Sequence, residues 1–407
     1  MDRRGFLGGS LALGCSLAAS PLVTPITFAA TPGEARLVVI ILRGAMDGLA
    51  AVAPYGDRDF ASLRGALPIG GDGYRDLDGF YALAPELAPL MPLWQAGQLS
   101  VVHAVSTPYR NKRSHFDGQD MLEAGISDLG AGLTRDGWLN RMLGLMAQGG
   151  QTQTAYAVGH DALKILRGDA PVERWSPDAD LLLSPQAVRL ARMVMEDDPA
   201  MARALDEALR LAGSDGDGVM LDQPAMGFDS MMQGEAVDTR PSAQHRRLAG
   251  FVADRLRADA RVASFSLNGW DTHRNQAAGL GRALTRLSET ILTLREETGP
   301  AVWDQTTVVA MTEFGRTARF NGGKGTDHGT GGAMILAGGA LNGGRVVADW
   351  PGLSEADLFE RRDLMPTRDL RAHAGWLVHG LFGLSRSDVE TGVFPGVDLG
   401  ADPRHLG

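Results

Sequence analysis

The sequence predicts an α/β fold, a parallel sheet covered by helices on both faces, on three observations. Five mostly apolar runs have strand length: 37–42 (LVVIIL), 99–105 (LSVVHAV), 262–267 (VASFSL), 307–311 (TVVAM) and 333–337 (AMILA). Segments with apolar residues three and four apart separate them, at 86–95, 116–124, 185–195, 200–212, 243–258, 280–297 and 368–382. Ionisable residues gather just after the strands, the edge at which α/β sheets bind ligands.

Taken in order, residues 1–30 read as a leader. Arg3 and Arg4 precede Phe6, Leu7 and a mild Gly, Ala, Ser and Leu run, the pattern of a twin-arginine signal peptide. Thr27, Phe28, Ala29 and Ala30 supply small residues for cleavage. The run is too short for a permanent span, so the expectation is a periplasmic protein that meets the twin-arginine translocase and keeps no stable membrane anchor. Cys15, the one cysteine, falls inside this leader, which removes disulfides, thiolate metal sites and a cysteine nucleophile from the rest. A formal charge of −10 without a long basic tract argues against nucleic-acid binding. Residues 31–407 are expected to form a single domain, with a flexible insertion near 214–242, where Gly, Asp and Met crowd without a period.

Four loops place polar residues after a strand. Asp47 follows the first strand in RGAMDGL, and Ser114 with His115 opens a helix in RSHFDGQD after the second. Asp271 and His273 close the third strand in GWDTHRNQ. Glu313 ends the fourth, and Asp327 and His328 lie in the glycine-rich loop beyond it, NGGKGTDHG. One such aspartate is an ordinary cap or turn residue. Four loops on one sheet edge bring carboxylates and imidazoles together, and those carboxylates repel unless cations neutralise them. Mixed carboxylate and imidazole ligation suits one or two divalent ions, Zn²⁺ or Mn²⁺ before Mg²⁺ or Ca²⁺.

Ser114 has the setting of an activated nucleophile, at a helix N-terminus with Arg110, Lys112 and Arg113 before it and His115 after. It is equally a natural N-cap. A nucleotide-binding P-loop is excluded because Gly325, not Ser or Thr, follows Lys324, and Gly279-Leu280-Gly281 lacks the third glycine of a dinucleotide turn.

Taken together, the leader and the phrases RGAMDGL, RSHFDGQD, GWDTHRNQ, TEFGRT and NGGKGTDHG resemble the bacterial domain of unknown function 1501 family, which is similar to the alkaline phosphatase and sulfatase superfamily. The resemblance implies a three-layer α/β/α sandwich around a mixed, mostly parallel sheet, with divalent metal and a Ser, Thr or formylglycine nucleophile. It implies metal ligands at Asp271, His273 and His328, with Glu313 and either Asp327 or Asp47 completing a second site, or a single metal alone. Where the superfamily has Asp-His-Gly, this chain has Glu313-Phe314-Gly315, so one histidine is replaced. Arg43 stands where the superfamily's first aspartate ends the opening strand. The expected activity is hydrolysis of a small anionic phosphate or sulfate ester, with Ser114 attacking and Arg110 or Arg113 holding the anion. Two alternatives remain: a non-catalytic periplasmic binding or assembly protein, and a sulfatase matured to formylglycine at Ser106, in the Ser106-Thr107-Pro108-Tyr109-Arg110 pattern.

Overall fold

The computed structural model describes residues 26–29, 33–110, 113–128, 136–147, 156–158, 163–170, 172, 174–175 and 244–407. All but Gln244 belong to one compact unit drawn from 1–175 and 245–407. Most of the expected leader, Lys112, the helices expected at 185–195 and 200–212, and the insertion expected near 214–242 lie outside the described residues.

Strand β1 (Ile26–Ala29) falls within the segment read as leader, and β2 (Arg36–Arg43) is the first expected strand. Helices α1 (Gly48–Ala51) and α2 (Phe60–Arg64) follow, with a small sheet of β3 (Val52–Ala53), β4 (Arg75–Asp76) and β5 (Ala82–Leu83). The chain continues through α3 (Met91–Gln95), β6 (Leu99–Ser106), α4 (His115–Ala124), α5 (Trp138–Ala147), β7 (Tyr156–Val158) and β8 (Arg174–Trp175). After α6 (Gln244–Arg257) come β9 (Val262–Asn268), α7 (Gln276–Trp303), β10 (Thr306–Met311), β11 (Gly332–Ala337), β12 (Arg345–Val347), β13 (Arg368–Asp369) and α8 (Leu370–Phe382).

The main sheet runs β12-β6-β11-β10-β2-β9-β1-β7-β8, with β13 also pairing to β6. Strands β10, β2 and β9 are parallel, with Val38 opposite both Val308 and Ala263. The expected mixed character enters at β11, which runs antiparallel to β10 and to β6. A parallel return needs a crossover to the far end of the sheet, and the 312–331 connection makes none. The start of β11 therefore lies at the same edge as the ends of β6, β10, β2 and β9, and the 312–331 loop stays over that edge.

Alternation along β2 shows why helices flank the sheet. Val38, Ile40 and Leu42 pack in one core with α6 and α7 residues such as Val252, Leu284, Leu287 and Ile291. Leu37, Val39 and Ile41 pack in another with Trp138 and Met142 of α5 and Leu377 of α8. A strand buried on both faces reads as a continuous apolar run, the LVVIIL signal in the sequence. The result is a mixed, largely parallel sheet flanked by helices. Among the described residues no helix is long and apolar enough to cross a membrane.

A buried histidine pair ties the C-terminal segment to α8. His373 Nδ1 lies 2.8 Å from His405 Nε2, and both rings are buried. Burial pushes His405 down to about 4 and His373 well below its ordinary value. Both are neutral when folded and protonate near pH 6.5 when unfolded, so the unfolded chain binds more protons as pH falls from about 6.5 to 4. Stability present above pH 6.5 is lost through that window, by about 3 kcal/mol from His405 alone. Urea denaturation at pH 7 and pH 4.5 should show this loss, reduced in a His405→Leu variant; equal losses in both proteins would contradict the assignment.

Candidate metal centre

The centre is assembled from the ends of β2, β9 and β10, the start of α4, and the loop before β11. Asp271 lies just past β9, and a close approach of the β2 end secures its backbone. Gly44 adopts φ +121, and a Cβ there would stand 2.5 Å from the Asp271 amide nitrogen, so a side chain is excluded on both counts. His115 is the first residue of α4, capped by Ser114, whose Oγ accepts from the Asp117 amide at 3.4 Å. His328 enters from the long loop, where the backbone of Gly329 presses on Arg316; a Cβ at Gly329 would meet the Arg316 carbonyl carbon at 2.3 Å. These loop glycines thus serve contact between backbones rather than approach to a ligand.

Three imidazoles and one carboxylate converge. His115 Nε2 lies 3.4 Å from Asp271 Oδ2, and His328 Nε2 lies 3.3 Å from Asp271 Oδ1. His273 Nε2 is 2.9 Å from Asp271 Oδ1 and 2.9 Å from His328 Nε2. Donors held tetrahedrally at about 2.0–2.1 Å from Zn²⁺ stand about 3.3 Å apart, close to the distances from Asp271 to His328 and His115. His115, Asp271 and His328 form a triad able to hold a metal ion, and His273 touches two of the three.

The opposite nitrogen of each imidazole is braced. His115 Nδ1 donates to Glu313 Oε1 at 2.7 Å, His328 Nδ1 to the Arg113 carbonyl at 2.7 Å, and His273 Nδ1 reaches Asp327 Oδ1 at 3.4 Å. Fixing Nδ1 as the donor turns Nε2, with its lone pair, toward the centre, as in metal-bound histidines. His115 Nε2 is buried with no hydrogen-bond partner, an orphan that a cation would satisfy. Arg113 adopts φ +50, in the sparsely populated left-handed region, while presenting the carbonyl to His328.

Charge follows the same geometry. The Glu313 hydrogen bond outweighs burial and raises His115, whereas burial lowers His328. Burial pushes Asp271 up, but the Arg316 guanidinium, 2.7 Å from Oδ1, more than offsets it and holds the carboxyl below its ordinary range. Glu313 is fully buried and likewise held low, because hydrogen bonds led by His115 overcome desolvation.

Several expected ligands sit elsewhere. Glu313 lies behind His115 with both oxygens engaged: Oε1 also receives Gly44 N at 3.0 Å and Gln119 Nε2 at 3.0 Å, and Oε2 lies 2.8 Å from Thr312 Oγ1. Asp327 faces outward, braced by Asn321 at 2.9 Å. Asp47 is buried in an ion pair with Arg64 at 2.8 Å, takes Gln276 Nε2 at 2.6 Å and caps α1. It meets the centre through the relay Gln276, Thr326, Arg316 and Asp271. Arg113 pairs with Glu360 and Asp363, and Arg110 donates to the carbonyls of Thr107 and Tyr109, so both guanidinium groups are tied away from an anion. Ser106, at the end of β6, is 2% exposed.

Sequence reasoning assigned His115 to catalysis rather than to a metal and missed Arg316 and Gln119. Phe314, in the place of the replaced histidine, stacks on His115 with centroids 5.2 Å apart. The imidazole from α4 thus packs against the ring that stands where an imidazole was expected. Arg43 bonds Gln119 at 2.7 Å and Glu123 at 2.6 Å, so the end of β2 grips the helix that carries His115.

Fold and cluster together define an α/β protein with a metal-binding triad at the ligand-binding edge of its sheet, consistent with a site of the metal-dependent hydrolase kind. The chain belongs to the DUF1501 family of proteins of unknown function, whose family model matches residues 104–376. No curated protein matches the chain.

Proposed function

We propose that this protein is a metal-dependent hydrolase of a phosphate or sulfate ester, exported to the periplasm by the twin-arginine route and related in fold to alkaline phosphatases and sulfatases. The observation that supports it most is the donor set itself: the Asp271 carboxylate with the His115 and His328 imidazoles, each imidazole braced through Nδ1. His115, Asp271 and His328 would hold the ion and leave a coordination position open to the ester, with His273 against Asp271 and His328. Two imidazole nitrogens and one carboxylate oxygen favour Zn²⁺ or Mn²⁺ over Mg²⁺ or Ca²⁺. A divalent cation bound there supplies Lewis acidity to an ester oxygen.

The remaining roles belong to the protein. Glu313 and the Arg113 carbonyl orient His115 and His328, and Arg316 fixes Asp271 while adding positive charge beside the anion's position. Ser114 is the proposed nucleophile. It is half-buried and adjoins His115 in the chain, and its amide donates to the Tyr109 hydroxyl at 2.8 Å, which fixes its backbone. Ser106 is less suited because it is enclosed at the strand end.

The test is hydrolysis of p-nitrophenyl phosphate, bis-p-nitrophenyl phosphate and p-nitrophenyl sulfate by protein loaded with Zn²⁺ or Mn²⁺. Ser114→Ala removes a helix cap worth about 1 kcal/mol, a loss the fold should survive. It should abolish turnover with metal content unchanged. Retained turnover would remove Ser114 from the chemistry, and inactivity of the metal-loaded parent toward every ester would favour a binding role.

A further inference from the structure

A second concavity, of about 520 Å³, lies between the N-terminal half of α7, the Tyr74 turn and the segment before the Asp327-His328 pair. Its volume is in the range that accepts a small organic ligand. Leu280, Leu284 and Ala277 of α7 form one apolar wall, and Tyr74 and Phe320 contribute rings. The Tyr74 hydroxyl is used elsewhere, donating to the Ala50 carbonyl at 3.0 Å, so the ring is what Tyr74 offers the cavity.

Glu86 is the polar feature that needs a partner. It lines this apolar cavity half-buried, and among the described residues its carboxylate has neither a hydrogen bond nor an ion pair. Gly281 makes room for it: a Cβ there would stand 2.8 Å from Glu86 Oε1. Burial, followed by the charges of Asp47 and Glu86, pushes the Tyr74 hydroxyl up to about 12, so Glu86 is near enough to act on that residue.

A carboxylate and an aromatic face at one apolar cavity are complementary to an organic cation. We propose that this cavity binds a hydrophobic ammonium, an amine or quaternary ammonium with an alkyl or aryl tail. The charge meets Glu86 and the Tyr74 ring, and the tail lies along Leu280, Leu284 and Ala277. Lys324, exposed among the lining residues, offers the opposite specificity, for a fatty or aryl carboxylate. Glu86 decides for the cation because it is the half-buried one of the two. The proposal is independent of the metal centre and is tested whether or not that centre is loaded.

Isothermal titration of the full chain with octyltrimethylammonium and with octanoate, both below their micelle concentrations, separates the two chemistries. Saturable one-site binding of the ammonium is expected, with octanoate at least about tenfold weaker. Glu86→Gln should weaken the ammonium about tenfold or more. Ala277→Trp, at an exposed helix position, should fill the cavity and remove binding without lowering the thermal midpoint. Tighter binding of octanoate, lost in Lys324→Ala and unaffected by Glu86→Gln, would overturn the proposal in favour of an anion site. Failure of both probes to saturate would overturn it outright.

Discussion

Asp271→Asn is expected to lower metal affinity by more than the roughly 10–100-fold typical of an outer bracing residue. Asp271 lies 2.9–3.4 Å from the Nε2 atoms of all three imidazoles, so it supplies the negative charge around which they gather. An amide keeps the shape and removes that charge. The substitution also weakens the partner of Arg316, whose side chain is fully buried. Because the Asp271 side chain is itself 42% exposed, solvent screens part of that loss, and the stability effect should stay near the roughly 1 kcal/mol of exposed pairs. Glu313→Gln is the milder counterpart, loosening His115 while keeping a side chain behind it. Metal content per chain, measured with the unfolding midpoint, distinguishes these effects. Asp271→Asn protein that retains full metal would place the ion elsewhere.

Asp47→Ala should be the most destabilising single change in this region, by about 3–5 kcal/mol, without being a change of metal ligand. The Arg64 side chain is 3% exposed and the Asp47 side chain 1%, and the two groups meet at 2.8 and 3.1 Å. Removing one partner leaves a buried guanidinium uncompensated. Arg64 also donates to the carbonyls of Thr317 and Ala318, so the loop beyond β10 loses an anchor. Denaturant unfolding measures the loss. Whatever fraction of the Asp47→Ala protein folds should still bind metal one-to-one; loss of metal with stability intact would return Asp47 to the ligand set.

These expectations also mark what the sequence could and could not reveal. The runs at 37–42 and 307–311 were legible because strands buried on both faces are apolar throughout, and each lies inside the observed β2 and β10. The direction of β11 was not legible, since an apolar run has no polarity and only the path of 312–331 decides it. Asp271 and His273 could be singled out because a strand end limits where such residues project, and His328 because its glycine-rich loop returns to that edge. Glu313 could not be told from a ligand, because a carboxylate behind an imidazole and one on a metal occupy the same strand end. Asp327 and His328 are neighbours whose side chains diverge, one to Asn321 at the surface and one to the centre, a difference of backbone path that residue types do not encode. Asp47 misleads for a related reason: its partner Arg64 is distant from every motif and joins it only through the fold.

The central claim is that His115, Asp271 and His328 form one metal site. Elemental analysis of full-length protein purified without chelator, alongside a His115→Ala variant, tests it most directly. Close to one equivalent of zinc or manganese in the parent, and a large loss in the variant with the fold retained, is the result this geometry requires. Parent protein that carries no stoichiometric divalent metal, and whose unfolding midpoint does not rise on adding either ion, would contradict it.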